Sequence, residues 1–322
     1  MQSSSQIQTS GFAADVSKGL SAEPKFLSSK YFYDDEGSRL FRQIMDLPEY
    51  YLTRAEFEIF QTQAAEIFAA FTEKSKSFDL IELGAGDGTK TAVLIDYFLR
   101  QNADFTYSPI DISQEAVDAL TEKFKVDFPA LSMNARTGDY FRILETLQTA
   151  SEKPKIILFL GSNIGNFSRE QSIAFFKKLR GVMNANDSLF VGFDLHKDPR
   201  VIVNAYDDAS GVTAAFNLNL LRRINRELGA NFNLENFSHY ALYRPNERAA
   251  RSFLISRANQ TVRIKALEQS FEFGAWEPIF MEISQKFSLE MINDLAQSSG
   301  FQTAKNFFDR NDYFVDSLWK TV

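Results

Sequence analysis

The stretch IELGAGDGTKTAVLID, Ile81–Asp96, sets three glycines between an apolar run and a segment of helical periodicity. A glycine-rich turn after a first strand restricts the chain to a small group of α/β folds, and glycine spacing separates the ligands that such turns hold. A phosphate-cradling loop needs glycine directly before its Lys-Thr pair, but Thr89 stands before Lys90 and Thr91. A dinucleotide fingerprint needs glycine at the first, third and sixth places; Gly84 and Gly86 fill two of them and Thr89 takes the last. What remains is acid-x-Gly-x-Gly-x-Gly, Glu82 through Gly88. A carboxylate this close to the turn disfavours a phosphate and suits a cation. S-adenosylmethionine, a sulfonium with an amino-acid tail, meets that description, because glycines admit close backbone approach and carboxylates complement positive charge.

The surrounding sequence alternates strand and helix signals. Phe78–Ile81 reads as a strand, Thr91–Phe98 as a helix and Phe105–Ser113 as a second strand ending in Asp111. An acid in that place takes the ribose hydroxyls of an adenosine ligand, and Ser113 is the better candidate to cap the helix that follows. In TGDYF (Thr137–Phe141), Asp139 stands where such folds contact adenine, with a plain turn residue as the alternative. Ile156–Leu160 is a continuous apolar run, the pattern of a central parallel strand buried on both faces. The small, polar run Gly161–Asn166 then lies at the strand's carboxyl end, where open α/β sheets bind ligands. A helix at Arg169–Met183 and a strand at Ser188–Leu195 continue the alternation and predict a doubly wound, mostly parallel sheet. After His196 the pattern changes to a helix at Asn217–Leu228 and aromatic strand-like segments, HYALYR and FEFGAW. Ile279–Ser288 reads as a strand and Leu289–Gly300 as a helix closed by glycine, and the C-terminal segment as a strand pair completing the sheet.

Composition excludes several chemistries. Among 322 residues there is no cysteine, which removes disulfides, thiolate zinc sites and cysteine nucleophiles. The two histidines, His196 and His239, are far apart in sequence, and no metal is expected. A net charge of -7 disfavours nucleic acid as a partner. No stretch approaches the roughly 20 apolar residues of a membrane span, and the start has no basic-then-apolar signal layout. The expectation is a cytoplasmic, monomeric protein without a membrane partner, whose Ser-rich residues 1–11 form a mobile tail.

Four ordered segments carry a resemblance. KYFYDDEGSRLFRQIMDLPEYYLTRAEFEIF (Lys30–Phe60), GSNIGNF (Gly161–Phe167), AYDDASGVTAAFNLNLLRRIN (Ala205–Asn225) and MEISQKFS (Met281–Ser288) resemble the histidine-specific methyltransferases of ergothioneine biosynthesis. The resemblance runs from Phe26 onward and implies a class I Rossmann-like methyltransferase. It places a cofactor domain at residues 61–195 and 287–322, and a smaller α+β substrate-binding domain at 12–60 and 196–286. It implies S-adenosylmethionine-dependent trimethylation of the α-amino group of L-histidine, giving hercynine. Relatives that methylate tryptophan derivatives keep another aromatic acceptor as an alternative. A non-catalytic, cofactor-binding regulatory protein is the alternative of a different class, and retained acceptor contacts argue against it.

Carried over residue by residue, the resemblance assigns Asn166 and Tyr206 to the acceptor's amino and carboxylate groups, with Gly161 beside them. Tyr33 and Phe41 resemble an aromatic wall at the reacting nitrogen, which Asn166 and Tyr33 would orient as the catalytic pair. Tyr50, Glu282 and Ser284 resemble the set that recognises imidazole. The cofactor set comprises Glu82, Gly84, Gly86, Gly88, Lys90, Asp111, Asp139 and Tyr140. Glu282 and Ser284 are two apart on a predicted strand and so share a face, although an exposed edge strand has the same alternation. Ser252 aligns near a position where relatives carry a larger apolar side chain, which would widen the acceptor pocket and favour tryptophan-like acceptors.

Overall fold

The computed structural model describes residues 4–73, 75–148 and 152–322. The chain opens with helices α1 (Ser4–Leu20), α2 (Asp35–Met45) and α3 (Tyr51–Phe71). Strands and helices then alternate through β1 (Ser77–Leu83), α4 (Thr89–Arg100), β2 (Asp104–Asp111), α5 (Gln114–Asp127), the short β3 (Ser132–Met133) and β4 (Arg136–Thr137), and α6 (Tyr140–Gln148). They continue with β5 (Lys155–Phe159), α7 (Arg169–Gly181) and β6 (Ser188–Asp194). Next come α8 (Pro199–Tyr206), α9 (Val212–Leu228), β7 (Phe237–Arg244), β8 (Ala249–Ser256), β9 (Gln260–Ile264), β10 (Gln269–Phe273) and β11 (Pro278–Gln285). The last elements are α10 (Leu289–Ser298), β12 (Phe301–Phe308) and β13 (Phe314–Thr321).

Two compact units divide the chain. One comprises the residues up to Tyr51 with Lys197–Ser284, and the other comprises Leu52–His196 with Gln285–Val322. The second unit holds a sheet of order β12-β13-β6-β5-β1-β2-β3, with β4 paired to β2. β6, β5, β1 and β2 run parallel, and the C-terminal pair β12 and β13 closes the edge antiparallel. Period-two alternation sorts the side chains of each parallel strand onto opposite faces. Phe78, Leu80, Ile156, Leu158 and Phe190 pack with α3, α4 and α5. Ile81, Leu83, Ile157, Phe159, Leu189 and Val191 pack with α6, α7 and α10. With helices on both faces, the central strands must be apolar throughout, and every residue of β5 is buried.

Helix starts in this unit follow their caps. Ser113 Oγ accepts the Ala116 N–H at 3.2 Å, and Ser168 with Gln171 forms a reciprocal capping box at α7. Burying the apolar face of α3, with Ile59, Phe60 and Ile67 fully covered, joins that helix to the sheet. The first crossing between units therefore lies at Tyr51/Leu52 and not at residue 60. Among the described residues, no helix is long and apolar enough to cross a membrane.

The first unit packs α1, α2 and α9 with the three-stranded sheet β11-β8-β7 and the antiparallel hairpin β9-β10. Its N-terminal strap lies along β11, with Leu27 N–H donating to Phe280 O at 2.8 Å and Phe280 N–H to Lys25 O at 2.9 Å. Helix α1 begins at Ser4, within the residues expected to form a mobile tail. Phe12, Val16 and Leu20, four residues apart, anchor its buried stripe, and a helix nucleated there extends back through the polar residues. Residues 1–3 of that expected tail lie outside the described residues.

Candidate functional site

In the second unit, the glycine loop leaves β1 at the carboxyl end of the sheet. Gly88 has φ +66° as the N-cap of α4, and a Cβ there would lie 2.4 Å from Leu120 Cδ1 and 2.8 Å from Phe124 Cζ, so only glycine fits. Above Gly84, a Cβ would meet the Tyr140 hydroxyl at 3.3 Å and the Asn163 amide nitrogen at 3.9 Å. Nothing approaches within 4 Å of the corresponding point at Gly86. The loop thus offers open backbone, flanked by a phenol and an amide.

Asp111, at the end of β2, ties this loop to the next one. Its Oδ2 accepts the Gly86 N–H at 3.3 Å and its Oδ1 the Ser113 N–H at 3.0 Å. Asp139 caps α6, its Oδ1 accepting the N–H groups of Phe141 and Arg142 at 3.1 Å. Burial pushes the Tyr140 phenol up to about 12, with the charges of Asp111 and Asp139 adding to the effect. It therefore remains a hydrogen-bond donor at neutral pH.

Glu82 takes a different place from the one expected for an acid complementing a cation. It is 4% exposed, and its two oxygens accept the hydroxyls of Thr91, at 2.8 Å, and Tyr107. Burial raises its carboxyl to about 7 against the opposing effect of those hydroxyls. These bonds join β1 to β2 and to α4. Lys90, on the first turn of α4, pairs with the fully buried Glu56 of α3. Burial, the largest influence, would lower the Lys90 pKa, but the charge and hydrogen bond of Glu56 together with the charges of Glu82 and Asp316 outweigh it and the net shift is upward.

The segment after β5 forms a tight turn. Gly161 has φ +73°, and a Cβ there would lie 3.5 Å from Lys90 Nζ. Ser162 Oγ accepts the Asp194 N–H at 2.9 Å, and Gly165 packs against the backbone of Gln285. Asn166 ends the turn half-buried.

Of the residues assigned to the acceptor, the first unit holds Tyr33, Phe41, Tyr50, Tyr206, Glu282 and Ser284, while Gly161 and Asn166 belong to the second. Tyr33, 42% exposed, lies edge-on to Phe41 at 5.4 Å and to Phe216 at 5.7 Å. Phe41 meets Tyr50 at 6.2 Å, and Tyr50 meets Tyr206 at 6.5 Å. The Tyr206 hydroxyl and Ser284 Oγ are 2.6 Å apart, and Glu282 stands two residues before Ser284 on β11. Asp34 caps α2 by accepting the Gly37 N–H at 2.8 Å, and Asn219 and Arg226 of α9 hold it, which fixes the backbone beside Tyr33. His239 Nε2 bonds the Tyr206 carbonyl at 2.8 Å, and burial lowers its pKa, so the neutral ring donates there. Ser252 is buried on β8, the strand next to β11.

Sequence reasoning missed Glu56, Phe216 and His239. Phe216 carried a signal as the first of Phe216, Leu220 and Ile224 on the buried stripe of α9. Glu56 carried one as an acid on the same helical face as Leu52, Ile59 and Phe60. His239 carried none, because a lone histidine in a strand has many uses.

Known proteins match along nearly the whole chain. Histidine N-alpha-methyltransferase of Mycolicibacterium smegmatis is 38% identical over 290 residues, 90% of this chain and 88% of that one. The protein of the same name from Mycobacterium tuberculosis is 36% identical over 94% of this chain and 93% of its own. Ergothioneine biosynthesis protein 1 of Schizosaccharomyces pombe is 26% identical over 87% of this chain, which spans 37% of that longer protein. The family described as "Histidine-specific methyltransferase, SAM-dependent" matches residues 12–321, a range that takes in the glycine loop, the aromatic cluster and the β11 pair alike, and the chain belongs to it.

Proposed function

We propose that this enzyme transfers methyl groups from S-adenosylmethionine to the α-amino nitrogen of L-histidine, three in succession, giving hercynine. The observation that carries this reading is the family match over residues 12–321, which covers the cofactor loop and the acceptor set together.

The residues present fit the cofactor. The space at Gly86 that a Cβ would fill admits a ligand against the backbone, with Asp111 on the Gly86 N–H and the Tyr140 hydroxyl at neighbouring Gly84 as polar groups. We assign Asp111 to the ribose, Asp139 and Tyr140 to the adenosine, and Lys90 to the cofactor's amino-acid end. Glu82 and Gly88 keep the loop in place. When bound, S-adenosylmethionine supplies an electrophilic methyl carbon on a sulfonium, and in-line displacement places the demand on positioning.

For the acceptor, we assign Glu282, Ser284 and Tyr50 to the imidazole and Tyr206 to the amino-acid end, with Gly161 and Asn166 assigned through the resemblance. Tyr33 and Phe41, joined by Phe216, present aromatic faces to the nitrogen that changes. Each transfer breaks the S–CH3 bond, releases S-adenosylhomocysteine and leaves a methylammonium that gives a proton to solvent before the next, so each round costs one N–H donor and the final trimethylammonium has none. Cation–π attraction, about 0.5–2 kcal/mol, does not need N–H groups, so one aromatic wall serves all three stages. Asn166 and Tyr33 orient the neutral amine.

The test is to incubate the purified chain with S-adenosylmethionine and each standard amino acid in turn, weighing the products. Histidine is expected to be the acceptor consumed, and preference for tryptophan would overturn the assignment. We also infer a monomer acting in the cytoplasm. The exposed large apolar residues, among them Tyr33, Ile112, Val126 and Trp276, are scattered along the sequence, and light scattering at working concentration checks the mass.

A further inference from the structure

Beneath the loops of the second unit, Lys90 belongs to a cluster of buried charge whose acids, Glu56 and Asp316, the cofactor assignment does not use. Glu56 projects from α3 and is fully buried. One carboxylate oxygen pairs with Lys90 Nζ, and the other accepts the Gly161 N–H at 2.7 Å. Lys90 follows the glycine loop of β1, and Gly161 opens the turn after β5. A single carboxylate therefore joins the two loops at the carboxyl end of the sheet. Gly192 of β6 makes room for it, since a Cβ there would lie 2.5 Å from Glu56 Oε1. Opposite Gly192 in the antiparallel register stands Asp316 of β13, fully buried, whose two oxygens receive no hydrogen bond among the described residues.

Two carboxyl groups and one ammonium cannot all be charged here without leaving a net buried charge. Glu56 accepts from both an ammonium and a backbone N–H, so its geometry is that of the ionised member. Burial holds the Asp316 carboxyl well above the usual carboxylate range, the Glu56 charge raises it further, and Lys90 only partly opposes them. Glu82 is the other acid whose charge reaches Lys90.

We propose that Glu56 is a positioning residue for methyl transfer, its carboxylate fixing the Lys90 ammonium and the Gly161 N–H in the cofactor cradle while Asp316 serves as its neutral neighbour. This rests on the cofactor assignment above. Without the Glu56 charge, Glu82 and Asp316 are the acids left to balance Lys90, and Asp316 draws the ammonium toward β13 and away from Gly161.

The test compares Glu56→Gln, Asp316→Asn and the double variant by calorimetric titration with S-adenosylhomocysteine, by thermal melting, and by separate KM values for S-adenosylmethionine and histidine. Glu56→Gln is expected to weaken S-adenosylhomocysteine binding about 10–100-fold, the scale of a lost charge-assisted hydrogen bond, and to raise KM for S-adenosylmethionine more than for histidine. Asp316→Asn, which preserves the neutral form, is expected to bind nearly as tightly as the natural protein. The double variant is expected to lose more than the sum of its parts, because Asp316 can no longer substitute. Equal losses in the two single variants would overturn the proposal, as would a Glu56→Gln variant that melts lower yet binds S-adenosylhomocysteine normally. Failure of the natural protein to bind S-adenosylhomocysteine would instead sink the cofactor assignment. The melting comparison would still report which carboxyl carries the charge.

Discussion

Replacing Glu82 by glutamine isolates the energetics of the buried acid beneath the glycine loop. The carboxyl moves from an ordinary 4.5 to about 7 on folding, with burial as the largest cause. A carboxyl with a raised folded-state pKa binds its proton more tightly in the native state. Its contribution to stability is therefore full below pH 4.5 and is lost as pH rises through 7. At 1.36 kcal/mol per pKa unit the swing is about 3 kcal/mol between those limits. Glutamine has the same shape and does not titrate, so the difference in melting temperature between Glu82→Gln and the natural protein cancels the other titrating groups. That difference is expected to move in favour of glutamine as pH rises from 4.5 to 7.5 and then to level. For a domain of this size the total is about 6–12 °C. Calorimetric melts at half-unit pH steps measure it, and a difference independent of pH would refute the reasoning by showing that Glu82 ionises as an exposed acid does.

Other substitutions separate loop architecture from ligand contact. Gly88→Ala sets a Cβ 2.4 Å from Leu120 Cδ1 at a left-handed φ and is expected to cost about 2–4 kcal/mol, read as a lowered melting temperature. Gly86→Val, where the space is open but φ is +55°, is expected to melt lower yet stay folded by circular dichroism, and to lose S-adenosylhomocysteine binding in calorimetry. Glu282→Ala is expected to raise the histidine KM by one to two decades, about 1.5–3 kcal/mol, with little change for S-adenosylmethionine. The same variant is expected to improve tryptophan relative to histidine, and an unchanged ratio of catalytic efficiencies would remove Glu282 from recognition.

The parallel sheet was legible because its strands are buried on both faces, which forces runs such as Ile156–Leu160 to be apolar throughout. Ser113 was legible as a cap because capping depends on neighbours a few residues away. The shared strand of Glu282 and Ser284 was legible from period-two alternation. Partnerships across elements were not. That Glu82 turns inward depends on Tyr107, its partner from another strand, and on Thr91 one helical turn into α4. The pairing of Glu56 with Lys90 and Gly161 depends on how α3 lies on the sheet, and local pattern does not report that. The helical start of the chain was missed because its polar residues have no apolar periodicity of their own before Phe12.

The central claim concerns where methyl groups go and how many are added. The direct measurement uses L-histidine labelled with nitrogen-15 at the α-amino position, excess S-adenosylmethionine and the purified enzyme, followed by mass spectrometry and nitrogen-edited NMR of the product. The expected result is a single final product with three methyl groups, all coupled to the labelled nitrogen, reached through mono- and dimethyl intermediates. Methyl groups on an imidazole nitrogen, or a reaction that ends after one transfer, would contradict it.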